Sequence, residues 1–237
     1  MKWFAAIYLL SESKKGMSAL QLKRTLKVAY KTAWYLCYRI REAVKDADTT
    51  LLGLDGGVVE CDESYVGGNA KWMHESDKKR IRKVHGKYRK IGVLGAIERG
   101  GKVRLEVAGR QVSHEQIRAF IKQKLADETR VIATDEHGAY VGVEDNDTVH
   151  VRVDHSKGEY VRGLAHTNTL ENVWSLFKRS IVGSYHQISM KHIDRYLDEF
   201  EFRFNNRHNP YLFRDTLLRL LASSNLEYKQ LTKNEAA

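Results

Sequence analysis

Hydrophobic residues recur at helical spacing in two short segments near the start of the chain. "SALQLKRTL" predicts a helix with Ser18 as its N-cap, and "YKTAWYLCYRIREAV" predicts a second helix with Ala33, Leu36, Cys37 and Ile40 on one face. Because only "KVA" joins the two helices, the pattern resembles a helix-turn-helix. The turn has no glycine and the second helix has no clear N-cap residue, so an ordinary helical hairpin with a solvated basic face is the alternative.

The pattern changes to strands after "DADTTLLGLDGG". Apolar and β-branched runs predict strands at 58–65, 90–98 and 102–109, the last two joined at Gly100–Gly101, and these strands should form an antiparallel meander. The next predicted elements are a helix ("SHEQIRAFIKQKLAD"), two strands ("RVIATD" and "TVHVRVDHS") and two long helices ("TNTLENVWSLFKRSIV", ending at Gly183, and "KHIDRYLDEFEFRFNNR").

This order of elements is typical of ribonuclease-H-like folds. The predicted fold class is therefore α/β: an RNase-H-like mixed sheet flanked by helices and preceded by a small helix-turn-helix-like module. We expect a helical DNA-binding segment at 1–50, a catalytic domain at 55–215 and a C-terminal helical tail at 216–237. The segment 71–90 carries nine Lys or Arg against two acids, which predicts a mobile loop or a short exposed helix.

Charge adds a class of partner to this picture. Lys and Arg number 40 against 30 Asp and Glu, a net charge of +10, and residues 1–48 hold ten basic and four acidic residues, or +6 of that total. A basic surplus favours a polyanion, with double-stranded DNA ahead of an anionic membrane surface. The outward face of the second helix should meet phosphates and base edges through Lys31, Thr32, Tyr35 and Arg39.

Neither a membrane span nor a signal peptide is indicated. The chain has no run of eighteen apolar residues, and "MKWFAAIYLL" is too short and lacks a small-residue cleavage site. We therefore expect a cytoplasmic, nucleoid-associated protein. The two cysteines, Cys37 and Cys61, are far apart and are interpreted as small apolar core residues.

Three carboxylates stand out against the predicted sheet. Asp62 lies within the first strand, Asp135 ends "VIATD" at the carboxyl edge of a buried strand, and Glu171 lies near the start of a helix. Carboxylates from separate elements converge only if a cation offsets their repulsion, and oxygen ligands favour Mg²⁺ or Mn²⁺. Two ions about 4 Å apart would support in-line displacement at a phosphodiester. Singly, each acid has an ordinary explanation as a loop cap or a first-turn helix acid.

Several segments of the sequence also resemble one family. "VVECDESYVGG", "ATDEHGAY", "VDHSKGEYVRGLAHTNTLENVWSLFKRSIVGSYHQIS" and "YLDEFEFRFNNR" are similar to the ISXO-like transposases of bacterial insertion sequences, enzymes of the DDE class, over roughly residues 1–215. The resemblance implies an RNase-H-like catalytic domain, two divalent metal ions, and cut-and-join chemistry at the inverted-repeat ends of a mobile element. Its first two acids correspond to Asp62 and Asp135.

The third position of the family motif falls on Glu171 or on the adjoining Asn172. We favour Glu171, because a carboxylate is the stronger ligand for a hard cation. Lys178, two helical turns further along the same face, matches the family's basic residue, and we expect Lys178 and Arg179 to contact DNA phosphates. His166, His186 and Trp174, around or within this helix, are interpreted as structural.

The resemblance makes a DNA transposase the leading prediction, acting on the element ends and on target DNA as a homo-oligomer. Two alternatives stay open: an RNase-H-fold nuclease that cuts without joining, and a DNA-binding derivative with an idle catalytic site. Relatives usually carry a cysteine-rich, zinc-ribbon-like segment before the part matched by "KWFAAIYLL". The sequence lacks such cysteines, so we expect a shorter variant or a truncated product.

Overall fold

A five-stranded mixed sheet is formed by strands between residues 58 and 153. The structure is a computed structural model that describes residues 1–45, 49–67, 74–76, 79, 90–135, 140, 148–153 and 166–232. The strands are β1 (Val58–Val66), β2 (Ile91–Glu98), β3 (Val103–Gly109), β4 (Val131–Asp135) and β5 (Val149–Val153), in the order β3-β2-β1-β4-β5. β1, β2 and β3 pair antiparallel, whereas β4 is parallel to both β1 and β5. This order is compatible with an RNase-H-like fold.

Alternation along β1 separates a dry face from a polar one. Val59 and Cys61 are buried in a core with α4 (His114–Lys124), which contributes Ile117, Phe120 and Ile121. Glu60 and Asp62, which point to the opposite face, contact α5 (Asn168–Ser180) through hydrogen bonds. The central strand therefore directs Glu60 and Asp62 toward α5, while Val59 and Cys61 on its other face contribute to the hydrophobic core.

Helices from the N-terminal and C-terminal parts of the chain form a second hydrophobic core. Its elements are α1 (Lys2–Glu12), α2 (Ala19–Leu26), α3 (Tyr30–Ala43), α6 (Ile193–Asn205), α7 (Leu212–Ala222) and α8 (Tyr228–Thr232). Apolar residues of α1, α2 and α3 pack together with Phe213, Leu217 and Leu220 of α7. Arg41 of α3 and Glu199 of α6 form a buried ion pair at 2.5 Å.

Contacts divide the chain into two compact units. The helical unit comprises residues 1–49, 179–186 and 194–237, and the sheet unit comprises residues 50–178 and 187–193. The predicted catalytic range of 55–215 thus includes helices that group with the N-terminal ones, and the predicted tail at 216–237 is part of the same helical unit. In the portion of the chain that the structure describes, no helix has the length and hydrophobicity to cross a membrane.

The two N-terminal helices form where the sequence predicts them, but a helix-turn-helix is not confirmed. Ser18 caps α2 by accepting a hydrogen bond from the backbone N–H of Gln21 at 3.2 Å. Lys27 takes the left-handed conformation at the end of α2 (φ 51°), a conformation that glycine adopts at many helix ends. Ala29 precedes α3 without a side-chain cap, as its sequence implies.

A third helix lies before Ser18 in the segment expected to be helical: α1, whose Ala6, Ile7 and Leu10 are buried against residues distant in sequence. The predicted end of the helix of Glu171 is wrong. Gly183 does not end the helix of Glu171: a π-helical turn (Ile181–Tyr185) follows α5 directly, and the left-handed His186 (φ 59°) comes after it. The highly charged segment 71–90 lies almost wholly outside the described residues.

Candidate active site

Asp62 and Asp135 lie on neighbouring parallel strands at matching positions. β1 and β4 pair Val58 with Val131 and Glu60 with Ala133, and the same register continued by two residues sets Asp62 beside Asp135. Side chains two apart on a strand share a face, so both carboxylates project from the face that also carries Glu60. The sheet thus brings together two of the predicted acids.

The environment of Asp62 opposes its negative charge. Burial, followed by the neighbouring charges of Asp135 and Glu63, raises the pKa of Asp62 from 3.8 to about 7. Glu63, on the other face of β1, accepts a hydrogen bond from the hydroxyl of Tyr140 at 3.0 Å. Without a cation, Asp62 therefore resists ionisation beside a second acid. A divalent ion bound here would stabilise the charged form of both carboxylates.

Trp174 links the helix of the third predicted acid to Asp62. Its indole Nε1–H donates a hydrogen bond to Asp62 Oδ2 at 2.9 Å, and its side chain is buried. The ring lies against Gly95, the residue of β2 that pairs with Asp62, where an added Cβ would be 2.5 Å from Trp174 Cζ2. A side chain at position 95 would therefore displace the indole, so this glycine is required by close approach.

The rotation of α5 distinguishes Glu171 from Asn172. At about 100° per residue, Glu171 lies roughly 60° around the helix from Trp174, whereas Asn172 lies roughly 160° away. Both side chains are exposed, and Glu171 Oε1 accepts a hydrogen bond from the Thr167 hydroxyl at 3.4 Å. Since Trp174 contacts Asp62, the side of α5 that carries Glu171 is the one nearer to the acids of the sheet.

Asp62, Asp135 and Glu171 are not arranged as a complete set of metal ligands. Within the ranges that the structure describes, no group of three or more His, Cys, Asp or Glu side chains is close enough to hold a metal ion. The donor chemistry nevertheless fits a hard cation, because Asp62 and Asp135 supply carboxylate oxygens from neighbouring strands. That Glu171 supplies the third metal ligand remains a prediction.

The predicted DNA contacts differ in how they are placed. Lys178 and Arg179 are exposed at the end of α5. On α3, Lys31 and Thr32 are exposed, with Lys31 Nζ over the ring of Tyr228 at 4.1 Å.

The remaining two α3 residues contact the C-terminal segment of the same helical unit. The Tyr35 hydroxyl donates to the carbonyl of Leu226 at 2.7 Å, and Arg39, only 8% exposed, donates to the carbonyl of Ser224 at 2.6 Å. Sequence periodicity assigned these residues to an outward face, but it could not reveal that a distant segment covers that face. Their role in DNA binding stays a prediction.

Sequence reasoning interpreted Trp174 as a core residue and missed its hydrogen bond. Burial is confirmed, but the indole also positions Asp62, and the only signal in the sequence was its spacing of three residues from Glu171. Of the two histidines interpreted as structural, His166 has its Nδ1 3.2 Å from Glu60 Oε1. Both cysteines are free and buried, as expected.

Comparison with known proteins defines the class to which this sheet and its acids belong. Residues 53–205 match the ISXO2-like transposase domain. The chain belongs to the ISXO2-like transposase family, which confirms the resemblance seen in its sequence motifs. It is also 28% identical over 209 residues to an uncharacterized protein of the transposable element ISH50 from Halobacterium salinarum, a match that covers 85% of this chain and 68% of that protein.

Proposed function

We propose that the chain is a DDE transposase that cleaves double-stranded DNA at the ends of an insertion sequence and joins those ends to target DNA. The observation that carries the proposal is the register of Asp62 beside Asp135, with Trp174 linking the Glu171 helix to the same point. Family membership and the transposable-element relative support it independently. The RNase-H-like interpretation of the sheet supports the same chemistry.

In this mechanism the sheet and the helix hold three carboxylates as ligands. Asp62 and Asp135 would provide one wall of the site from adjacent strands, and Glu171 would complete it from α5. Two Mg²⁺ or Mn²⁺ ions, when bound, would neutralise the phosphodiester and activate the attacking water or 3′ hydroxyl. The hydrogen bond from Trp174 would fix the orientation of the Asp62 carboxylate.

DNA would be held mainly by its phosphates. Lys178 lies two helical turns beyond Glu171 on the same face, where its ammonium group would meet a phosphate near the scissile bond. Arg179 and the basic residues of the first 48 positions would add sequence-independent affinity. We further propose that the DNA-bound form is a homo-oligomer, because joining two element ends to one target needs more than one active site.

A supercoiled plasmid carrying the element ends tests the proposed reaction. With Mg²⁺ and target DNA, strand-transfer products are expected, and EDTA should abolish them. Nicking without joining would instead identify a nuclease, and binding without cleavage would identify an idle derivative. Short inverted repeats around the encoding gene would supply the end sequences for this plasmid.

A further inference from the structure

A second carboxylate on the acidic face of β1 is used in a different way from Asp62. Glu60 is completely buried, two residues before Asp62. Its Oε2 accepts hydrogen bonds from the backbone N–H groups of Thr169 at 2.9 Å and Leu170 at 3.0 Å. These are second- and third-residue amides of α5, the donors that a local N-cap side chain normally satisfies.

The local candidate for that capping role contacts another group. Thr167 precedes the first residue of α5, but its hydroxyl donates to Glu171 Oε1 at 3.4 Å. The cap of α5 therefore comes from a strand 109 residues earlier in the chain. A carboxylate at this end also interacts favourably with the helix dipole.

The other oxygen of Glu60 is held by side chains. Oε1 accepts from Arg99 Nε at 2.8 Å and from the Thr169 hydroxyl at 2.9 Å, and Arg99 Nη2 also donates to the carbonyl of His166 at 3.0 Å. Each carboxylate oxygen thus accepts two hydrogen bonds, which fills the usual capacity of the group. Glu60 has no lone pair left for a metal ion, and this separates it from Asp62 and Asp135.

We propose that Glu60 is a positioning residue that sets where Glu171 stands relative to Asp62 and Asp135. The inference rests on the proposed function and goes beyond it, because it assigns a role to an acid outside the DDE motif. Glu60 fixes the amides of Thr169 and Leu170, which immediately precede Glu171, and Trp174 attaches the next turn to Asp62. Glu60 and Asp62, both in β1, thus hold α5 at two points, which fixes its position along its axis and its rotation about that axis.

The substitution Glu60→Gln tests this role with little change in shape. The amide loses the negative charge, and its NH₂ group cannot accept from the helix N–H groups. In metal-free protein, amide hydrogen exchange in the peptide covering the start of α5 should become roughly tenfold to 100-fold faster, because charge-assisted bonds are lost. In the cleavage assay, the Mg²⁺ concentration for half-maximal rate should rise about 10–100-fold, as expected when an outer partner of a metal ligand is removed.

Two further variants make the result interpretable. Glu106→Gln is the matched control, since Glu106 pairs with Lys124 at the surface of the same sheet, and it should change neither measurement. Thr169→Val removes only the hydroxyl donor to Glu60 and should shift both measurements in the same direction by a smaller factor. It decides the matter if Glu60→Gln does not fold: wild-type exchange and Mg²⁺ dependence in Thr169→Val would overturn the proposal.

Normal α5 exchange and normal Mg²⁺ dependence in folded Glu60→Gln would also overturn it. Faster exchange with unchanged Mg²⁺ dependence would make Glu60 a cap without a positioning role, and this would contradict the proposal as well. The exchange measurement needs no catalysis. A wild-type protein that fails to cut DNA therefore contradicts the proposed transposase activity, while exchange in Glu60→Gln still tests the contact with α5.

Discussion

Two buried carboxylates, one in each unit, have pKa values shifted in opposite directions. In the sheet unit, burial and neighbouring acids raise the pKa of Asp62 to about 7. In the helical unit, burial also opposes the charge of Glu199, but the guanidinium groups of Arg41 and Arg203 hold its pKa below the usual value. The comparison teaches that burial alone does not set the pKa of a carboxylate: the balance of charge around it separates Asp62, a proposed metal ligand, from Glu199.

The partners of Glu199 show what a balanced environment looks like. Arg41 Nε lies 2.5 Å and Arg203 Nε 3.2 Å from its two oxygens, and the Tyr185 hydroxyl donates to it at 3.0 Å. The guanidinium of Arg41 also lies over the ring of Tyr196 at 3.9 Å. These contacts hold α3, α6 and the π-helical turn together. Two guanidinium groups already neutralise the Glu199 carboxylate, so its charge needs no ligand.

The largest expected effect is loss of catalysis when either of the two proposed ligands in the sheet is neutralised. Asp62→Asn or Asp135→Asn should lower the DNA cleavage rate at least about 10³-fold, because metal-ion stabilisation of the transition state is worth several kcal/mol. DNA affinity, measured by fluorescence anisotropy, should stay within about twofold, since phosphate contacts dominate it. Asp55→Asn, at an exposed acid of the same unit, is the control. Equal losses of binding and cleavage would contradict a metal-binding role.

The third position of the motif gives the next largest effect. Glu171→Gln should eliminate Mg²⁺-dependent cleavage and weaken metal binding, whereas Asn172→Ala should cost about 10–100-fold, through a lost substrate or outer hydrogen bond. The structural reason is rotation, because Glu171 and not Asn172 lies on the side of Trp174. Cleavage across a Mg²⁺ titration distinguishes them. Normal cleavage by Glu171→Gln with an inactive Asn172→Ala would show that our choice is wrong.

The balanced acid should matter for stability. Glu199→Gln leaves two buried guanidinium groups without their counter-charge and should lower the free energy of unfolding by about 3–5 kcal/mol, measured by urea denaturation. The control is Glu42→Gln, whose ion pair with Arg195 is partly exposed and should contribute about 1 kcal/mol or less. A loss for Glu199→Gln no larger than for Glu42→Gln would mean that balance of charge does not distinguish the two regions.

Asp62 should show the opposite relation between charge and stability. The pKa of Asp62 is higher in the folded protein than in the unfolded chain. Its contribution to the free energy of unfolding is therefore complete below the unfolded pKa near 3.8 and is lost as the pH rises to about 7. In metal-free protein above pH 7, Asp62→Asn should therefore be more stable than wild type, by about 4 kcal/mol. Below pH 4 the two should melt alike. Added Mg²⁺ should reverse the order at high pH, and a destabilised Asp62→Asn at pH 8 would contradict the assigned environment.

Much of the sheet unit was predictable from the sequence because its signals are local. Alternation, glycine turns and the capping residue Ser113 define strands and helices within a few residues of their observed bounds. Asp62 and Asp135 could be selected because each lies in a strand whose neighbours are apolar. The contacts that connect Asp62 with Trp174 and Glu60 with Thr169 could not be read in this way, since they join residues 112 and 109 positions apart.

The helical unit was harder to predict because its charges looked like surface charges. Arg39 and Arg41 lie on a helix with many polar residues, and nothing near them in sequence indicates that Ser224 and Glu199 bury them. A basic helix face was therefore interpreted as a DNA-binding face. In the structure, part of that face is occupied by the chain's own C-terminal segment.

The smallest predicted effect separates these two uses of α3. The Tyr35 hydroxyl bonds to the carbonyl of Leu226, so Tyr35→Phe should lower the free energy of unfolding by about 1 kcal/mol, the typical net contribution of one hydrogen bond. Tyr8→Phe, at an exposed tyrosine of α1, is the matched control and should change nothing.

DNA binding by the same variants completes the test. Wild-type affinity should fall steeply between low and moderate salt, because binding releases counterions from the DNA, and a flat profile would mean that the net charge of +10 serves only solubility. If the Tyr35 hydroxyl stays bonded to the C-terminal segment when DNA binds, Tyr35→Phe should retain both the wild-type affinity and its salt slope. If Tyr35 contacts DNA, as its place in the sequence predicts, the affinity should fall. A tenfold loss of DNA affinity in Tyr35→Phe, with stability unchanged, would show that the C-terminal segment leaves this face and that DNA takes its place.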